Sequence, residues 1–435
     1  MCQTPIFCIF FVMKESKISL FDPKKVPEDA RQIIQDFDAL VQGVQPLNSR
    51  QLQQLPQNIR NLSHQMTDDR SNRRLGYMNE NIQLSSYVRY FTWWNLVRLT
   101  RLFSNLPKEC FPQNDAVCLD AGSGPLTVVT ALFLARPELR KLKLTWYCLD
   151  VSANSMALGE DIFLSVCAKL GIAGDTWQII RIKGSFGTSI KQKADFITCA
   201  NMLNELDQAV DMPPEFKVKK YYEQFRHYAA KDARFILVEP GVPKAARTLA
   251  LLRDRFLRDG SSITAPCPHF GKCPMDGFGA YTGSKCKWCN FAFETTDAPK
   301  NLQKLSVQAK LPKERATLSF IAVSSGVPES RSAAPDTRPG VPEARSGVPE
   351  ALEGPHEHPL SIRITSDKIK LPNYMCGFYG CCELGLVLVT LPDANNTRLP
   401  KPPFVPRSGD LIQVKIKTPD SLPKDQKSGG LIIKI

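Results

Sequence analysis

VCLDAGSGPLT, residues 117–127, runs from an apolar strand through two glycines to a proline. Asp120 ends the strand, Gly122 and Gly124 make the turn, and Pro125 opens a helix. Glycine is needed where the backbone takes positive φ or a ligand approaches where a Cβ would stand. Proline suits a first helical turn, whose N–H needs no intrahelical acceptor. A tight strand-to-helix turn with no ligand would use the same residues. The next apolar run, KLTWYCLD, also ends in an acid, Asp150, placed where Rossmann-like sheets offer a carboxylate to ribose hydroxyls. A dinucleotide site requires G-x-G-x-x-G, with a pyrophosphate on the helix N-terminus, but position 127 is Thr. The D-x-G-x-G form suits S-adenosylmethionine, which carries a cationic ammonium and no phosphate. Asp120, Gly122, Gly124 and Asp150 are therefore the candidate cofactor-binding residues.

Working outward, AVCLD, KLTWYCLD, TWQIIRI, ADFITCA and ARFILVE are short apolar runs separated by helical stretches. Such alternation predicts a parallel sheet with crossover helices, an α/β domain over residues 111–325. ATLSFIAVSS, Ala316–Ser325, predicts one more strand, the last of the sheet. Upstream, apolar positions three and four apart in EDARQIIQDFDALVQ and SSYVRYFTWWNLVRLTRLFSNL predict a helical N-terminal region, residues 1–110. Downstream, GVPE recurs at Gly326, Gly340 and Gly347 in a run rich in Pro, Ser, Ala and Arg. That composition buries too little apolar surface to offset ordering entropy, so residues 326–359 are predicted to be a disordered linker. SIRI, LGLVLVT and DLIQVKIK then predict a small β-rich module over residues 360–435.

A chain of 435 residues with 43% hydrophobic content has room for a sizeable core. Its 56 Lys and Arg against 43 Asp and Glu leave a net charge of +13. That balance favours a polyanionic partner such as RNA over an acidic small molecule. No run approaches the ~20 apolar residues of a bilayer-spanning helix. Pro5–Met13, PIFCIFFVM, lacks the basic flank and cleavage site of a signal peptide. The expectation is a cytoplasmic protein that makes no use of a membrane and is a monomer when free.

Fourteen cysteines in a long chain of this kind point to buried thiols plus a metal site. Cys118, Cys148, Cys167 and Cys199 fall among apolar neighbours and are expected in the core. The segment APCPHFGKCPMDGFGAYTGSKCKWCNF differs, because periodicity gives way there to Cys267, Cys273, Cys286, Cys289 and His269 among Pro and Gly. On spacing alone, the C-x2-C pair of Cys286 and Cys289 with the other two could close a tetrahedral zinc site. Three local thiolates and one remote cysteine would equally hold a four-iron four-sulfur (4Fe-4S) cluster. Cys376, Cys381 and Cys382 are the remote candidates.

ADFITCANMLNEL places Asn201, Asn204 and Glu205 just past a strand, at the carboxyl end where open α/β sheets bind ligands. Asn204 is the candidate catalytic residue, with helix capping and a solvated Glu as the plainer account. Lys217–Arg234, KVKKYYEQFRHYAAKDAR, is a candidate RNA surface or an ordinary amphipathic helix.

Taken together, LDAGSGPLT, the LNEL of Leu203–Leu206, VEPGVP of Val238–Pro243 and, above all, APCPHFGKCP followed by WCNF resemble one family over Tyr87–Ser325, the ribosomal small-subunit Rsm-twenty-two family. The resemblance implies a class I methyltransferase (Rossmann-like) fold, bound S-adenosylmethionine, a 4Fe-4S cluster, and association with the small ribosomal subunit and its RNA during assembly and translation. It also implies cluster ligands at Cys267, Cys273 and Cys289. The fourth ligand lies in a C-x3-G context that Cys381 and Gly385 match best. The chain departs from the family in GFGAYTGSKCK, which lengthens the loop before Trp288 and adds Cys286. It departs again in the repeat linker, which separates the fourth ligand from the rest. Amino-methylating enzymes often carry an Asn or Asp followed by two prolines at the place of LNEL, and this chain does not. Two roles follow from the resemblance, a methyltransferase acting on ribosomal RNA and a non-catalytic assembly factor using fold and metal as an RNA platform.

Overall fold

The computed structural model describes residues 18–67, 77–206, 212–281, 284–326, 358–396, 399–402, 404–416 and 422–435. Pro5–Met13 and residues 327–357 of the GVPE run lie outside them. The described helices are α1 (Glu28–Gln35), α2 (Phe37–Val44), α3 (Ser49–Thr67), α4 (Asn81–Ser86), α5 (Trp93–Asn105), α6 (Thr127–Ala135), α7 (Ala153–Lys169), α8 (Pro214–Tyr228), α9 (Pro243–Arg258) and α10 (Lys300–Gln308). The strands of the central sheet are β2 (Ala116–Ala121), β3 (Leu144–Asp150), β4 (Trp177–Lys183), β5 (Ala194–Ala200), β6 (Ala229–Glu239), β7 (Ser262–Ala265), β8 (Phe291–Glu294) and β9 (Arg315–Ser324). A second sheet holds β1 (Ile18–Ser19), β10 (His358–Ile364), β11 (Ile369–Lys370), β12 (Met375–Cys382), β13 (Gly385–Pro392), β14 (Asp410–Ile416) and β15 (Leu431–Lys434).

The central order is β4-β3-β2-β5-β6-β9-β7, with β8 pairing β9. β4 through β6 are mutually parallel, and β9 runs antiparallel to both β6 and β7. This reversal of direction about β2, with one antiparallel strand near the far edge, is a class I methyltransferase-like α/β fold. β9 is the last strand of this sheet along the chain, as its sequence suggested, and within the sheet it lies between β6 and β7. Its long apolar run is buried along nearly its whole length, so it takes an inner position and leaves the four-residue β7 at the edge. Helices cover both faces, which is why the parallel strands read as continuous apolar runs. Phe133 of α6, Phe163 of α7, Trp146, Trp177 and Phe196 fill one side, with Phe133 and Trp177 centroids 5.0 Å apart. Phe225, Phe235 and Phe256 fill the other.

The N-terminal helices do not stand apart. α5 packs on α6, and Trp93 Nε1 donates to the Ile34 carbonyl at 2.7 Å and Trp94 Nε1 to Ser306 Oγ at 3.1 Å. A π turn, Tyr87–Thr92, joins α4 to α5. One piece of the region expected to be wholly helical is extended, since β1 pairs with β14 of the C-terminal module. That module follows the order β1-β14-β10-β12-β13-β15 and packs on the α/β domain. Phe21 stacks on Phe293 at 5.0 Å, Arg315 pairs with Asp367 at 2.5 Å, and Arg363 Nε donates to the Pro266 carbonyl at 2.9 Å. Among the described residues no helix is long and apolar enough to cross a membrane.

Candidate functional site

The glycine loop forms as its residues dictate, with Gly122 at φ 72° and Gly124 at φ 49°. The helix itself starts two residues after Pro125, at Thr127, behind a left-handed Leu126 with φ 51°. A cleft opens above the loop. Ser123, Gly124, Thr127 and Asp150 form its floor, and Ala200, Asn201, Met202 and Glu205 one wall. Met78, Tyr87, Asn95 and Leu99 form the other wall. These last four come from the N-terminal helices and were not anticipated. The helical period of SSYVRYFTWWNLVRL places Tyr87, Asn95 and Leu99 on one stripe, which was the available signal.

Asp150 lines the cleft, where its Oδ2 accepts the Gly124 N–H at 2.9 Å and its Oδ1 the Ser152 N–H at 2.8 Å. Burial raises its pKa. Asp120 lies beneath the loop, fully buried, and does not line the cleft. Thr198 Oγ1 donates to its Oδ1 at 2.7 Å, and its Oδ2 has no protein partner. Burial pushes Asp120 up to about 7.

The structure turns Asn204 away from the cleft. Its Nδ2 donates to Glu239 Oε2 at 2.8 Å and to the Asn201 carbonyl at 3.2 Å, and the backbone N–H groups of Leu203 and Asn204 donate to the same carboxylate. Glu239, from the VEPG stretch, is fully buried and pushed by that burial up to about 7. It braces the LNEL turn and leaves Asn201, at φ 58°, and Glu205 on the cleft wall. Arg98 Nη2 donates to Asn201 Oδ1 at 3.0 Å. Lys217–Arg234 is α8 running into β6, with Val218, Tyr221, Phe225 and Tyr228 buried, the amphipathic helix of the plainer account.

On the far side of β9 the cysteines gather. Cys267, Cys273 and Cys289 border one small cavity together with Arg253, Pro266 and Ser319. Cys381 packs with Cys273, Met275 and Cys289. Strand alternation explains why Cys381 and not its neighbours arrives there. Side chains two apart share a face, so Cys376, Phe378 and Cys382 point into the module's own core. Cys286 is exposed and does not border the cavity. His269 is buried next to this pocket, and burial followed by the charge of Arg253 lowers it to about 4. Burial first, then the other thiols, pushes Cys273 up to about 12 and Cys289 and Cys381 well above the ordinary range. Two buried guanidinium groups flank them. Arg253 Nε lies 3.1 Å from Cys267 Sγ, and Arg363 from β10 feels Cys381 and Cys267. Among the described residues no group of His, Cys, Asp or Glu has the geometry to hold a single metal ion. Cys118, Cys148, Cys167 and Cys199 are buried in the core, as expected.

Comparison with known proteins follows the same lines. No curated protein matches the chain. Among solved structures, a SAM-dependent methyltransferase from Aquifex aeolicus is 21% identical over 31% of this chain and 61% of its own, with a TM-score of 0.21. The glycopeptide N-methyltransferase MtfA, solved with S-adenosylmethionine, is 14% identical over 30% of this chain and 49% of its own, with a TM-score of 0.21. YJHP from E. coli is 10% identical over 61% of this chain and 98% of its own, with a TM-score of 0.31. The chain therefore spans less than two thirds of the first two, and at these identities the likeness concerns fold alone. The family model described as mitochondrial small ribosomal subunit Rsm22 matches residues 95–341, from the first turn of α5 through the glycine loop and Cys267, Cys273 and Cys289. That match takes in more than half of the sequence, and the chain belongs to the Rsm22 family.

Proposed function

We propose that the chain binds S-adenosylmethionine in the glycine-loop cleft, holds a 4Fe-4S cluster on Cys267, Cys273, Cys289 and Cys381, and works on small-subunit ribosomal RNA during ribosome assembly. The observation that carries this is the arrival of Cys381, from beyond the GVPE run, at three cysteines of the α/β domain. Nothing in the packing of an apolar module requires a fourth thiol there. Four thiolates around a four-iron core of charge +2 carry a net negative charge, and buried Arg253 and Arg363 are placed to balance it. Thiols bordering a cavity suit a polynuclear centre better than one zinc ion, which needs its sulfurs within ~2.3 Å of a point. The exposed position of Cys286, away from the cavity, supports a ligand set without it. When bound, the cluster would clip the C-terminal module to the α/β domain, since metal binding is folding free energy.

The cleft fits the cofactor on two counts. Asp150, which lines the cleft, offers a carboxylate to the ribose hydroxyls of S-adenosylmethionine, and the buried Asp120 beneath the loop adds negative charge that favours its cationic ammonium. The absence of Cβ atoms at Gly122 and Gly124 leaves the backbone open to close approach. A second role, the non-catalytic assembly factor, is favoured by one observation. The amide of Asn204 is consumed by Glu239 and does not reach the cleft.

Anaerobically purified protein should be brown and contain about four irons per chain, and calorimetry should show S-adenosylmethionine binding. Incubation with labelled cofactor and immature small subunits separates the two roles. Label in the RNA supports transfer, and binding without label supports the platform. A colourless protein that binds zinc alone would remove the cluster from the proposal.

A further inference from the structure

The C-terminal module has a connectivity that its function so far leaves unused. β10 pairs antiparallel with β12, β12 with β13, and β10 with β14, while β13 and β15 are parallel. Numbering these five strands in order gives 4-1-2-3-5, the path of an oligonucleotide- and oligosaccharide-binding (OB) barrel. Such barrels take ligands on the face of strands two and three and on the loops beside it. Here that face is covered. Tyr379 and Cys381 of β12 turn toward the cysteine loop, and Lys287 Nζ of that loop sits 4.6 Å from the Tyr379 ring centroid. What remains open is the rim where the loop between β14 and β15 meets the cysteine loop.

That rim is basic and aromatic. From Asp276 to Trp288 the cysteine loop makes a hairpin-like excursion, closed by a bridge between those two residues and by the Gly277 N–H donating to the Lys287 carbonyl at 3.2 Å. A Cβ on Gly277, at φ 75°, would stand 3.1 Å from the Pro243 carbonyl oxygen, so the excursion leaves α9 at close quarters. It holds Phe278 and Tyr281 out in solvent at 72% and 67% exposure, with Lys285 beside them. Lys287 is half-buried, and Lys427 on the barrel's loop lies within reach of its charge. Asp425, the nearby acid, is already engaged by the Tyr379 hydroxyl at 3.0 Å and by Ser428. Lys424 and Lys427 remain exposed on the barrel's loop.

Exposed rings interleaved with lysines, at the edge of a barrel of this connectivity, match one ligand chemistry. Stacking needs bases free of a duplex, and the lysines need phosphates. We propose that the seam of Phe278, Tyr281, Lys285, Lys287, Lys424 and Lys427 binds single-stranded RNA. This rests on the RNA-binding role given above and names the surface that performs it. Duplex RNA presents no free base faces to the two rings.

The test uses the full, metal-loaded chain with labelled fifteen-nucleotide oligo-U, oligo-A, a blunt RNA duplex, and phosphatidylserine vesicles. Single strands should bind at least tenfold tighter than duplex. Phe278→Ser with Tyr281→Ser should weaken single-strand binding tenfold or more, with metal content and Tm unchanged, since each stacked base contributes ~1–3 kcal/mol. Lys424→Gln with Lys427→Gln should reduce the log–log salt slope by about 1.4, at ~0.7 per phosphate of a single strand. If the wild type binds single strands and the aromatic variant binds them equally well, this surface is refuted while the RNA role stands. Wild-type binding to vesicles alone, or to none of the probes, overturns both.

Discussion

The two pockets of this protein bury opposite charges. Beneath the glycine loop lie carboxyl groups, Asp120 at 0% and Asp150 at 8% exposure. Around the cysteines lie guanidinium groups, Arg253 at 2% and Arg363 at 6%. A buried charge without a counter-charge is costly, and each pocket has the sign that complements its proposed occupant. The first would receive a cationic ammonium and the second a set of thiolates. The pockets differ equally in how they are assembled. The cleft's loop and acids come from a single strand-turn-helix unit and the strand after it, so they are close before the domain is complete. The cysteine pocket closes only when β12 returns from beyond the GVPE run.

The largest effect should therefore come from the residue that travels furthest. Cys381→Ser should reduce iron from about four per chain to near zero and release the module, seen as faster proteolytic degradation of residues 358–435. Structural metal contributes on the order of 10 kcal/mol of folding free energy. Cys382→Ser, one position along the same strand, faces the module core and should leave iron unchanged. Equal iron loss in both variants would erase the distinction drawn from strand alternation. Because the four thiols are held above their ordinary range, loading must release protons, and apparent metal affinity should climb steadily from pH 6.5 to 8.5.

Arg253→Met probes the charge of the same pocket. Removing one member of a buried, paired charge system destabilises by roughly 3–5 kcal/mol, so the loaded protein should lose that much in denaturant titration. The metal-free protein holds neutral thiols and should be unaffected or slightly more stable. A similar loss in both forms would mean that Arg253 matters for its hydrogen bonds to the His269 and Gly271 carbonyls, at 3.0 and 2.9 Å, and not for its charge.

The cleft should show the reverse pH behaviour. Asp120 is pushed up to about 7 in the folded protein, against ~3.9 when unfolded. A raised carboxyl pKa leaves full stability below pH 4 and removes it as pH rises toward 7. Asp120→Asn should therefore match the wild type at pH 4 and exceed it at pH 8 by up to roughly 4 kcal/mol, in the absence of cofactor. Saturating S-adenosylmethionine should narrow the gap by stabilising the wild type more. A flat difference across pH would disconnect Asp120 from the cleft's charge.

Local pattern carried most of this to the surface of the sequence. The apolar runs, the acids that end them, the positive-φ glycines and the core cysteines were all legible, because each depends on neighbours within a turn or a strand. Three things were not. Asn204 was expected in the cleft, but Glu239 lies thirty-five positions away in the chain and only the fold brings its carboxylate to that amide. Strand period alone left the choice among Cys376, Cys381 and Cys382 open, since it gives two faces of β12 without saying which is inward, and only the resemblance pointed to Cys381. Met78, Tyr87 and Asn95 belong to helices whose contact with the glycine loop is a tertiary fact. The cleft was thus readable in its floor and hidden in its walls, whereas the cysteine pocket was readable in its ligands and hidden in its closure.

The smallest expected effect separates the two glycines of the loop. Both have positive φ, so alanine at either costs ~1–2 kcal/mol in backbone strain. Their surroundings differ. An added Cβ on Gly124 would meet nothing nearer than Met78 Cε and Ser155 Oγ at 3.9 Å, while one on Gly122 would stand 2.8 Å from the Met202 side chain. Met202 is flexible and lines the cleft, so Gly122→Ala is expected to move it into the space the cofactor requires. Gly124→Ala should melt a few degrees lower, and Gly122→Ala lower still, because the Met202 Cβ stands as close to the added methyl as the rest of its side chain. Gly122→Ala should weaken S-adenosylmethionine severalfold more than Gly124→Ala in calorimetry, and the double variant Gly122→Ala with Met202→Gly, which removes the Met202 Cβ as well, should recover that difference. If the single variants bind the cofactor equally well, Met202 is not the gate of this cleft, and the loop acts on its ligand through backbone conformation alone.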